Sequence, residues 1–377
     1  MAFFVEEKPR RFPRGFLMRE GATQQMMKQF SFLLFMLLIS GLVLHGCSRD
    51  SASEDVAVVT VMTHDSFSMS EDLLAGFEKE HGIHVRFLKS GDAGAALNLA
   101  ILSKEHPLAD IFYGVDNTFM SRALASGIFV PYRSPLLASV DQSLVLDKTY
   151  RLTPVDYGDV CVNYDRAWFS SKGIAPPRSL EDLARPEYSG LLVVQNPATS
   201  SPGLAFLLAT IGHFGDKGFV DFWSALKKNN VLVTDGWEDA YWGQFSAASK
   251  GERPLVVSYS TSPAAEVYYA EQPPEDAPTA ALVESGSAFR QIEFAGILKG
   301  AKHPQQARAV IDFLLDAPFQ REIPLRMFMF PANRTVPLPP VFSKHARLAQ
   351  SPVILPPEVI SERRDAWIEA WTEAVLR

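Results

Sequence analysis

The sequence predicts an α/β protein of two lobes that are joined by extended segments and enclose a cleft. Three observations support this fold class. Predicted strands and helices alternate along the chain, as in parallel sheets covered by helices. Two extended stretches, at 155–164 and 289–298, are candidate crossovers between the lobes. Polar clusters follow the predicted strands, at the sheet edge where such folds bind ligands.

The same alternation is found in both halves of the chain. Near the start, residues 71–81 have apolar side chains at helical spacing, and Gly82 suits the end of that helix. At the other end, Pro357 opens a terminal helix. The predicted strands cover 56–62, 85–88, 109–113, 190–194, 231–233 and 255–258, and the other helices cover 95–103, 203–210, 304–315 and 358–376.

These elements divide the chain into four predicted segments. The two lobes each take two separate stretches because the chain crosses between them more than once. The segments are a leader and lipoprotein signal peptide at 1–46, a lipidated tether at 47–55, a first lobe at 56–155 plus 289–320, and a second lobe at 156–288 plus 321–377.

The N-terminus is typical of an exported lipoprotein. Residues 30–44 form an uncharged run after Lys28, and its length of about 15 residues is short of the ~20 that a spanning helix needs. A positive start, a short apolar core and a small residue before the cut describe a secretory signal. Cys47 follows Gly46, which predicts lipidation of its thiol; an uncleaved anchor helix is the alternative.

The composition argues against one class of partner and against disulfides. The chain has 36 basic and 43 acidic residues, a net charge of −7, and its leader is basic. Nucleic-acid binding needs a basic face, so we expect no nucleic-acid partner. With Cys47 lipidated, Cys161 has no cysteine to pair with and is predicted to be a small core residue.

The sequence contains no familiar catalytic or metal-binding motif. It lacks a GxSxG elbow, an HExxH zinc helix and a GxxxxGK phosphate loop. Six polar clusters instead follow predicted strands, and together they favour a binding cleft without cofactor or metal. The clusters are His64-Asp65-Ser66, Ser90-Gly91-Asp92, Asp116-Asn117, Thr199-Ser200-Ser201, Asp235-Gly236-Trp237 and Tyr259-Ser260-Thr261-Ser262.

Some of these residues allow two interpretations each. Ser201 precedes Pro202 at a predicted helix start, so its hydroxyl is either a simple cap or part of a phosphate site. Asp92 either caps its helix or meets a cationic or amino group. Trp237 and Tyr259 either pack ordinarily or stack on a cationic ring, which gains roughly 0.5–2 kcal/mol per contact.

From Val56 to Arg377 the chain resembles the periplasmic thiamine-binding proteins, the substrate-binding subunits of thiamine ABC transporters. The resemblance implies a type II periplasmic binding protein fold, in which two α/β lobes joined by hinge strands close on the ligand. It rests on TVMTHDSF (60–67), ADIFYGVDN (109–117), VDYGDVCVNYD (155–165), NPATSSPGLAFLL (196–208), VTDGWEDAYW (233–242), LVVSYSTSPA (255–264) and RRDAWIEAWTEAV (363–375).

The resemblance also implies ligand residues. Asp92 and Ala93 fall in the loop that meets the ligand, Ser200 and Ser201 match a hydroxyl pair that reaches a phosphate ester, and Trp237 matches a stacking tryptophan. Together with the cleft positions, the full expected set adds Tyr259, Ser260, Thr261, Ser262, His64 and Asp116. The sequence departs from the family at four positions. Ala93 stands where the family usually has glycine, His64 and Ala265 stand where it has tyrosine, and Phe328 stands where it has tryptophan.

We therefore expect a monomeric binding protein, lipid-anchored through Cys47 on the periplasmic side of the cell envelope. It would deliver thiamine or thiamine phosphates to an ABC permease and its ATPase. One alternative is a binding protein for another small solute, such as a thiamine precursor, another organic cation or ferric iron. The tandem Tyr268-Tyr269 resembles ferric-ion binders, although neighbours in a helix face different directions. An enzyme acting on thiamine compounds is the other alternative.

Overall fold

A computed structural model describes residues 56–284 and 286–377. The predicted signal peptide, Cys47 and the tether lie outside these residues. Within the described part, no helix is long and apolar enough to cross a membrane. The strands are β1 (Ala57–Thr63), β2 (Ile83–Lys89), β3 (Ile111–Asp116), β4 (Phe129–Val130), β5 (Thr153–Asp165), β6 (Leu192–Gln195), β7 (Leu232–Thr234), β8 (Leu255–Tyr259), β9 (Thr279–Leu282), β10 (Phe289–Leu298) and β11 (Phe330–Pro331).

These strands form a mixed sheet in the order β2-β1-β3-β10-β5-β8-β6-β7. At one end β1 pairs in parallel with β2 and β3, and at the other β6 pairs in parallel with β7 and β8. Between them, β10 and β5 run antiparallel to each other and to their outer neighbours. The two predicted crossovers are therefore confirmed: they are the central strands that join two α/β halves.

Helices follow the strands in both halves, as the alternation predicts. Helix α1 ends at Gly82, whose φ of 62° gives the left-handed C-cap expected there. The helices are α1 (Glu71–His81), α2 (Ala93–Leu102), α3 (Met120–Ala125), α4 (Arg166–Lys172), α5 (Ser201–Lys228), α6 (Ser262–Tyr269), α7 (Pro304–Leu315), α8 (Ala317–Arg326), α9 (Pro340–His345) and α10 (Pro357–Val375).

Helix α5 is much longer than the predicted 203–210. Its apolar face continues past residue 210, and Phe219, Phe222 and Trp223 are buried along it. Gly215 interrupts the helix with a φ of 71°, a conformation that costs glycine little. Because the kink interrupts the helical spacing of apolar residues, the sequence predicts only the first part of α5.

The terminal helix α10 packs where the two halves adjoin. Trp371 is fully buried against Trp223 of α5, with ring centroids 5.7 Å apart at an edge-to-face angle of 83°. The guanidinium of Arg364 lies 4.7 Å from the ring centroid of Phe119 in the first half. This helix is therefore part of the core, and Cys161 is fully buried as expected of a core residue.

Three local predictions were wrong by a few residues at strand and helix ends. Asp116 is the last residue of β3 and Tyr259 the last of β8, rather than loop residues. Ser200, not Ser201, is the N-cap of α5, because Ser201 is the first residue of the helix and Pro202 is the second. The periodicity of the apolar residues does not resolve these ends because polar residues also extend a strand or open a helix.

Candidate functional site

The predicted cleft residues lie where the two halves meet. Asp92 is the N-cap of α2, and its Oδ1 accepts a hydrogen bond from Ala93 N at 2.7 Å. Its Oδ2 accepts from Trp237 N in the other half at 3.0 Å. Burial raises the pKa of Asp92, while hydrogen bonds from Ser200, Ala93 and Trp237 oppose that shift. Asp92 is therefore both a helix cap and a contact between the halves.

The start of α5 forms a second contact between the halves. Ser200 and Ser201 are buried, and Ser201 Oγ donates to Asp116 Oδ2 at 2.8 Å. The backbones are also close, because a Cβ built on Gly94 of α2 would lie 2.7 Å from the carbonyl oxygen of Thr199. Only a residue without a side chain allows this approach of α2 to the loop before α5.

Asp116 is a fully buried carboxylate with several hydrogen bonds. Its Oδ1 accepts from Thr118 N at 3.0 Å, Thr118 Oγ1 at 2.6 Å and Phe119 N at 3.2 Å. Burial nevertheless raises the pKa of Asp116 to about 6, and the charge of Glu293 adds to the shift. Protonation of Asp116 is therefore expected near neutral pH.

Trp237 is held in place on two sides. Its ring stacks on Tyr241 with centroids 4.9 Å apart and an interplanar angle of 18°. Its Nε1 donates to Ser258 Oγ at 2.9 Å. Tyr241 belongs to a π-helical turn, Asp239–Gln244, a rare form that recurs at functional sites. The indole is therefore oriented by packing and a hydrogen bond, as a stacking residue needs to be.

The loop after β8 presents hydroxyl groups beside Tyr259. Ser260 and Thr261 are fully buried, and neither Ser260 Oγ nor Thr261 Oγ1 has a hydrogen-bond partner among the described residues. Ser262 Oγ pairs with Ser258 Oγ at 2.9 Å. Tyr259 is only partly buried, and its hydroxyl accepts from Gln291 Nε2 at 3.1 Å.

His64 lies beneath these groups at the end of β1. It is 8% exposed, and its Nε2 is 3.5 Å from Glu293 Oε2. Burial opposes protonation of the imidazole, but the charge and close approach of Glu293, together with the charges of Asp92 and Asp65, outweigh it, so the pKa of His64 is raised. A Cβ at Gly114 would lie 2.4 Å from His64 Cδ2, so glycine at 114 makes room for this ring.

The electrostatics show that these side chains converge. Burial raises the pKa of Tyr259 well above its ordinary value, and the charges of Glu293, Asp92 and Asp116 raise it further. Such effects require short distances through a buried medium. The structure therefore places Asp92 and Asp116 of the first half close to Tyr259 of the second half.

Sequence reasoning missed the contribution of the central strands. Gln291 and Glu293 on β10, Asp156 on β5 and Tyr113 on β3 are all buried among the residues just described. The available signal was chemical: Glu293 and Asp156 are carboxylates inside otherwise apolar strands, and such groups are almost never buried without a partner.

The tandem tyrosines that suggest the ferric-ion alternative are exposed rather than buried with the polar cluster. Among residues 56–284 and 286–377, no group of three or more His, Cys, Asp or Glu side chains is placed to hold a metal ion. Tyr268 and Tyr269 lie on α6 and are 46% and 61% exposed, away from the buried cluster. The site offers hydroxyls, acceptors and aromatic faces, which suit an organic ligand.

Two α/β halves joined by antiparallel central strands, with polar strand ends meeting between them, define a two-lobed solute-binding protein. The chain matches the family model described as bacterial extracellular solute-binding protein over residues 106–350. It belongs to this family.

Named relatives agree with the family. The chain is 34% identical to the thiamine-binding periplasmic protein of Brucella suis biovar 1 (strain 1330), covering 92% of this chain and 99% of that one. It is 32% identical to the thiamine-binding periplasmic protein of Escherichia coli (strain K12), covering 85% and 94%. A solved periplasmic thiamin binding protein superposes with a TM-score of 0.76 at 29% identity, covering 89% and 100%. The predicted type II periplasmic binding protein fold is confirmed.

Proposed function

We propose that this chain is the solute-binding subunit of an ABC importer and binds thiamine or its phosphates between its lobes. The observation that carries the proposal is the convergence of Asp92, Ser200, Trp237 and Tyr259 from both halves of the chain. Relatives named for thiamine binding cover nearly all of the chain and support the same ligand. The lobe boundaries inferred from the sequence, 56–155 plus 289–320 and 156–288 plus 321–377, belong to this proposal.

The chemistry of thiamine suits the proposed residues. Its thiazolium ring is cationic, and its pyrimidine ring carries an amino group. The indole of Trp237 offers an aromatic surface for a cationic ring. Asp92 supplies a carboxylate beside it, through the same Oδ2 that accepts from Trp237 N. Ala93, His64, Asp116 and the loop Ser260, Thr261 and Ser262 complete the proposed lining.

The phosphate question depends on the start of α5. Its N-terminal amides and the Ser200 and Ser201 hydroxyls suit an anion. Ser201 Oγ, however, donates to Asp116 Oδ2, so a phosphate there would compete with a carboxylate for the same hydroxyl. We therefore expect thiamine to bind at least as tightly as its diphosphate.

Calorimetry tests this proposal on the soluble chain from Ser48, which contains the compact unit Val56–Arg377. The ligands are thiamine, thiamine monophosphate and thiamine diphosphate. We expect thiamine to bind with a stoichiometry of one. If none of the three binds at high micromolar concentration, the thiamine proposal is wrong. Product analysis after prolonged incubation distinguishes binding from turnover, since a binding protein returns the ligand unchanged.

We further propose that the mature chain is a monomer anchored to a membrane through a lipid on Cys47. The sequence around Cys47 supports this part of the proposal. Mass spectrometry of the mature N-terminal peptide should find an acylated Cys47, and the full chain should fractionate with membranes. Cys47→Ser should abolish both. An unmodified N-terminal cysteine in the wild type would contradict the anchor.

A further inference from the structure

The central strands place three carboxylates side by side. Glu293 on β10 is directly opposite Asp116 on β3 and directly opposite Asp156 on β5. Directly opposed residues on antiparallel strands share a face of the sheet and lie within contact distance. Asp116 and Asp156 are fully buried, and Glu293 is 4% exposed. Like charges so close are unfavourable, so the structure has to distribute protons and hydrogen bonds among them.

Asp116 and Asp156 are the two outer residues of this carboxylate row, and hydrogen bonds and raised pKa values reduce the repulsion at both. Asp116 accepts from Thr118 and Ser201, as described above. Asp156 accepts from the hydroxyl of Tyr113. Burial and then the charge of Glu293 raise the pKa of Asp156 well above its ordinary value. The charge of Glu293 also contributes to the raised pKa of Asp116, so both outer carboxyls are shifted toward their protonated forms.

Glu293 is only partly satisfied by the protein. Its Oε1 accepts from Gln291 Nε2 at 3.2 Å, but its Oε2 has no hydrogen-bond partner among the described residues. Gln291 Oε1 also has no hydrogen-bond partner there, and His64 Nε2 makes no hydrogen bond although it lies 3.5 Å from Glu293 Oε2. All three side chains are more than nine-tenths buried. Buried polar atoms are nearly always paired, so this cluster has hydrogen-bonding capacity left for a bound molecule.

The unpaired atoms adjoin the proposed ligand residues. Gln291 Nε2 bonds to the hydroxyl of Tyr259, and the charge of Asp92 acts on both Tyr259 and His64. Gln291 and Glu293 are two residues apart on β10, so their side chains point to the same face of the sheet. They present two oxygen acceptors, Gln291 Oε1 and Glu293 Oε2, toward the junction of the lobes.

We propose that Gln291 and Glu293, with His64 beside them, form a specificity-determining subsite that accepts the N–H donors of an amino-substituted nitrogen heterocycle. The inference rests on the proposed function, in which that heterocycle is the aminopyrimidine of thiamine. A glutamine oxygen is a good acceptor for the amino group of such a ring, as in amide recognition of adenine. An analogue with an oxo group in place of the amino group places an acceptor where the amino N–H donors would be, so the subsite binds it more weakly.

The test compares thiamine with oxythiamine, its 4-oxo pyrimidine analogue, by calorimetry on the soluble chain from Ser48. We expect the wild type to bind oxythiamine at least about tenfold more weakly, the range expected when a buried acceptor loses its donor. Glu293→Gln should weaken thiamine binding by about tenfold or more and reduce the difference in affinity between thiamine and oxythiamine. Gln291→Met, which removes the amide without adding charge, should do the same.

Glu78→Gln is the matched control, because Glu78 Oε1 also faces a histidine, His84 Nδ1 at 2.8 Å, but on the surface of the first half. It should change neither affinity. Equal binding of both ligands by the wild type overturns this inference and leaves the thiamine proposal standing. Wild-type protein that binds no thiamine overturns both. Variants that keep affinity and discrimination also overturn the inference, and if a variant does not fold, the wild-type comparison decides alone.

Discussion

Replacement of Asp116 by asparagine should change how the stability of the protein depends on pH. Asparagine has the same shape, and its Oδ1 can still accept from Thr118 N and Phe119 N, as Asp116 Oδ1 does. It carries no charge at any pH. The variant therefore isolates the cost of ionising a fully buried carboxylate between the lobes.

The magnitude follows from the pKa of Asp116, which burial raises from 3.8 to about 6. A group with a raised folded pKa binds protons on folding, so its contribution to stability falls as the pH rises from about 4 through 6. A shift of about two units is worth about 3 kcal/mol. Between pH 4 and pH 7, the free energy of unfolding of Asp116→Asn should therefore increase by about 3 kcal/mol relative to that of the wild type.

Urea denaturation of both proteins at pH 4, 5, 6 and 7 measures this difference. Asp147→Asn is the control, because Asp147 is also buried, but hydrogen bonds from Thr149, Arg151 and Leu152 outweigh burial and lower its pKa. Ionised Asp147 contributes its full stabilisation above the unfolded pKa, so the difference in free energy of unfolding between Asp147→Asn and wild type should not change from pH 5 to 7. Parallel stability curves for wild type and Asp116→Asn would refute the reasoning.

Three further predictions follow from packing. Trp237→Ala should weaken thiamine binding by roughly 2- to 30-fold in calorimetry, because the indole is proposed to stack on the ligand. Trp242 is 53% exposed, and Trp242→Ala should change the affinity for thiamine little. Equal effects of the two substitutions would contradict the stacking role of Trp237. Gly94→Ala should lower the melting temperature, because its Cβ would lie 2.7 Å from a backbone oxygen, whereas Gly76→Ala, with open space around it, should raise stability by about 1 kcal/mol. Trp371→Ala should cost about 3–5 kcal/mol in urea denaturation, and a loss below about 1 kcal/mol would show that α10 is not part of the core.

The sequence alone predicted the main strands of the sheet and five helices, but not α3, α4, α8 and α9. Apolar spacing and the proline at its start placed α7 at the residues where it is found. The two crossovers were recognisable because they are long, apolar and extended. Where the prediction was short, as for α5, a glycine kink separates two helical stretches that a pattern treats as unrelated.

The sequence proposes site residues but does not indicate the contacts that they make. Asp92, Ser201 and Trp237 were all expected near the ligand, yet no periodicity indicates that Trp237 donates its backbone N–H to Asp92. Glu293 was missed because polar residues predict cleft loops at strand ends, whereas this residue lies within a central strand. Its pairing with Asp116 and Asp156 depends on the register of three strands that are far apart in sequence.

The same strand has a mechanical consequence. In β10 the register to β5 shifts between Glu293 and Phe294, and the register to β3 shifts between Phe294 and Ala295. Irregular pairing of this kind bends a strand and loosens the local ladder. The irregular part of this connection between the lobes therefore adjoins Glu293 of the carboxylate row. In the proposed subsite, a ligand held by Glu293 would contact β10 beside its irregular pairing.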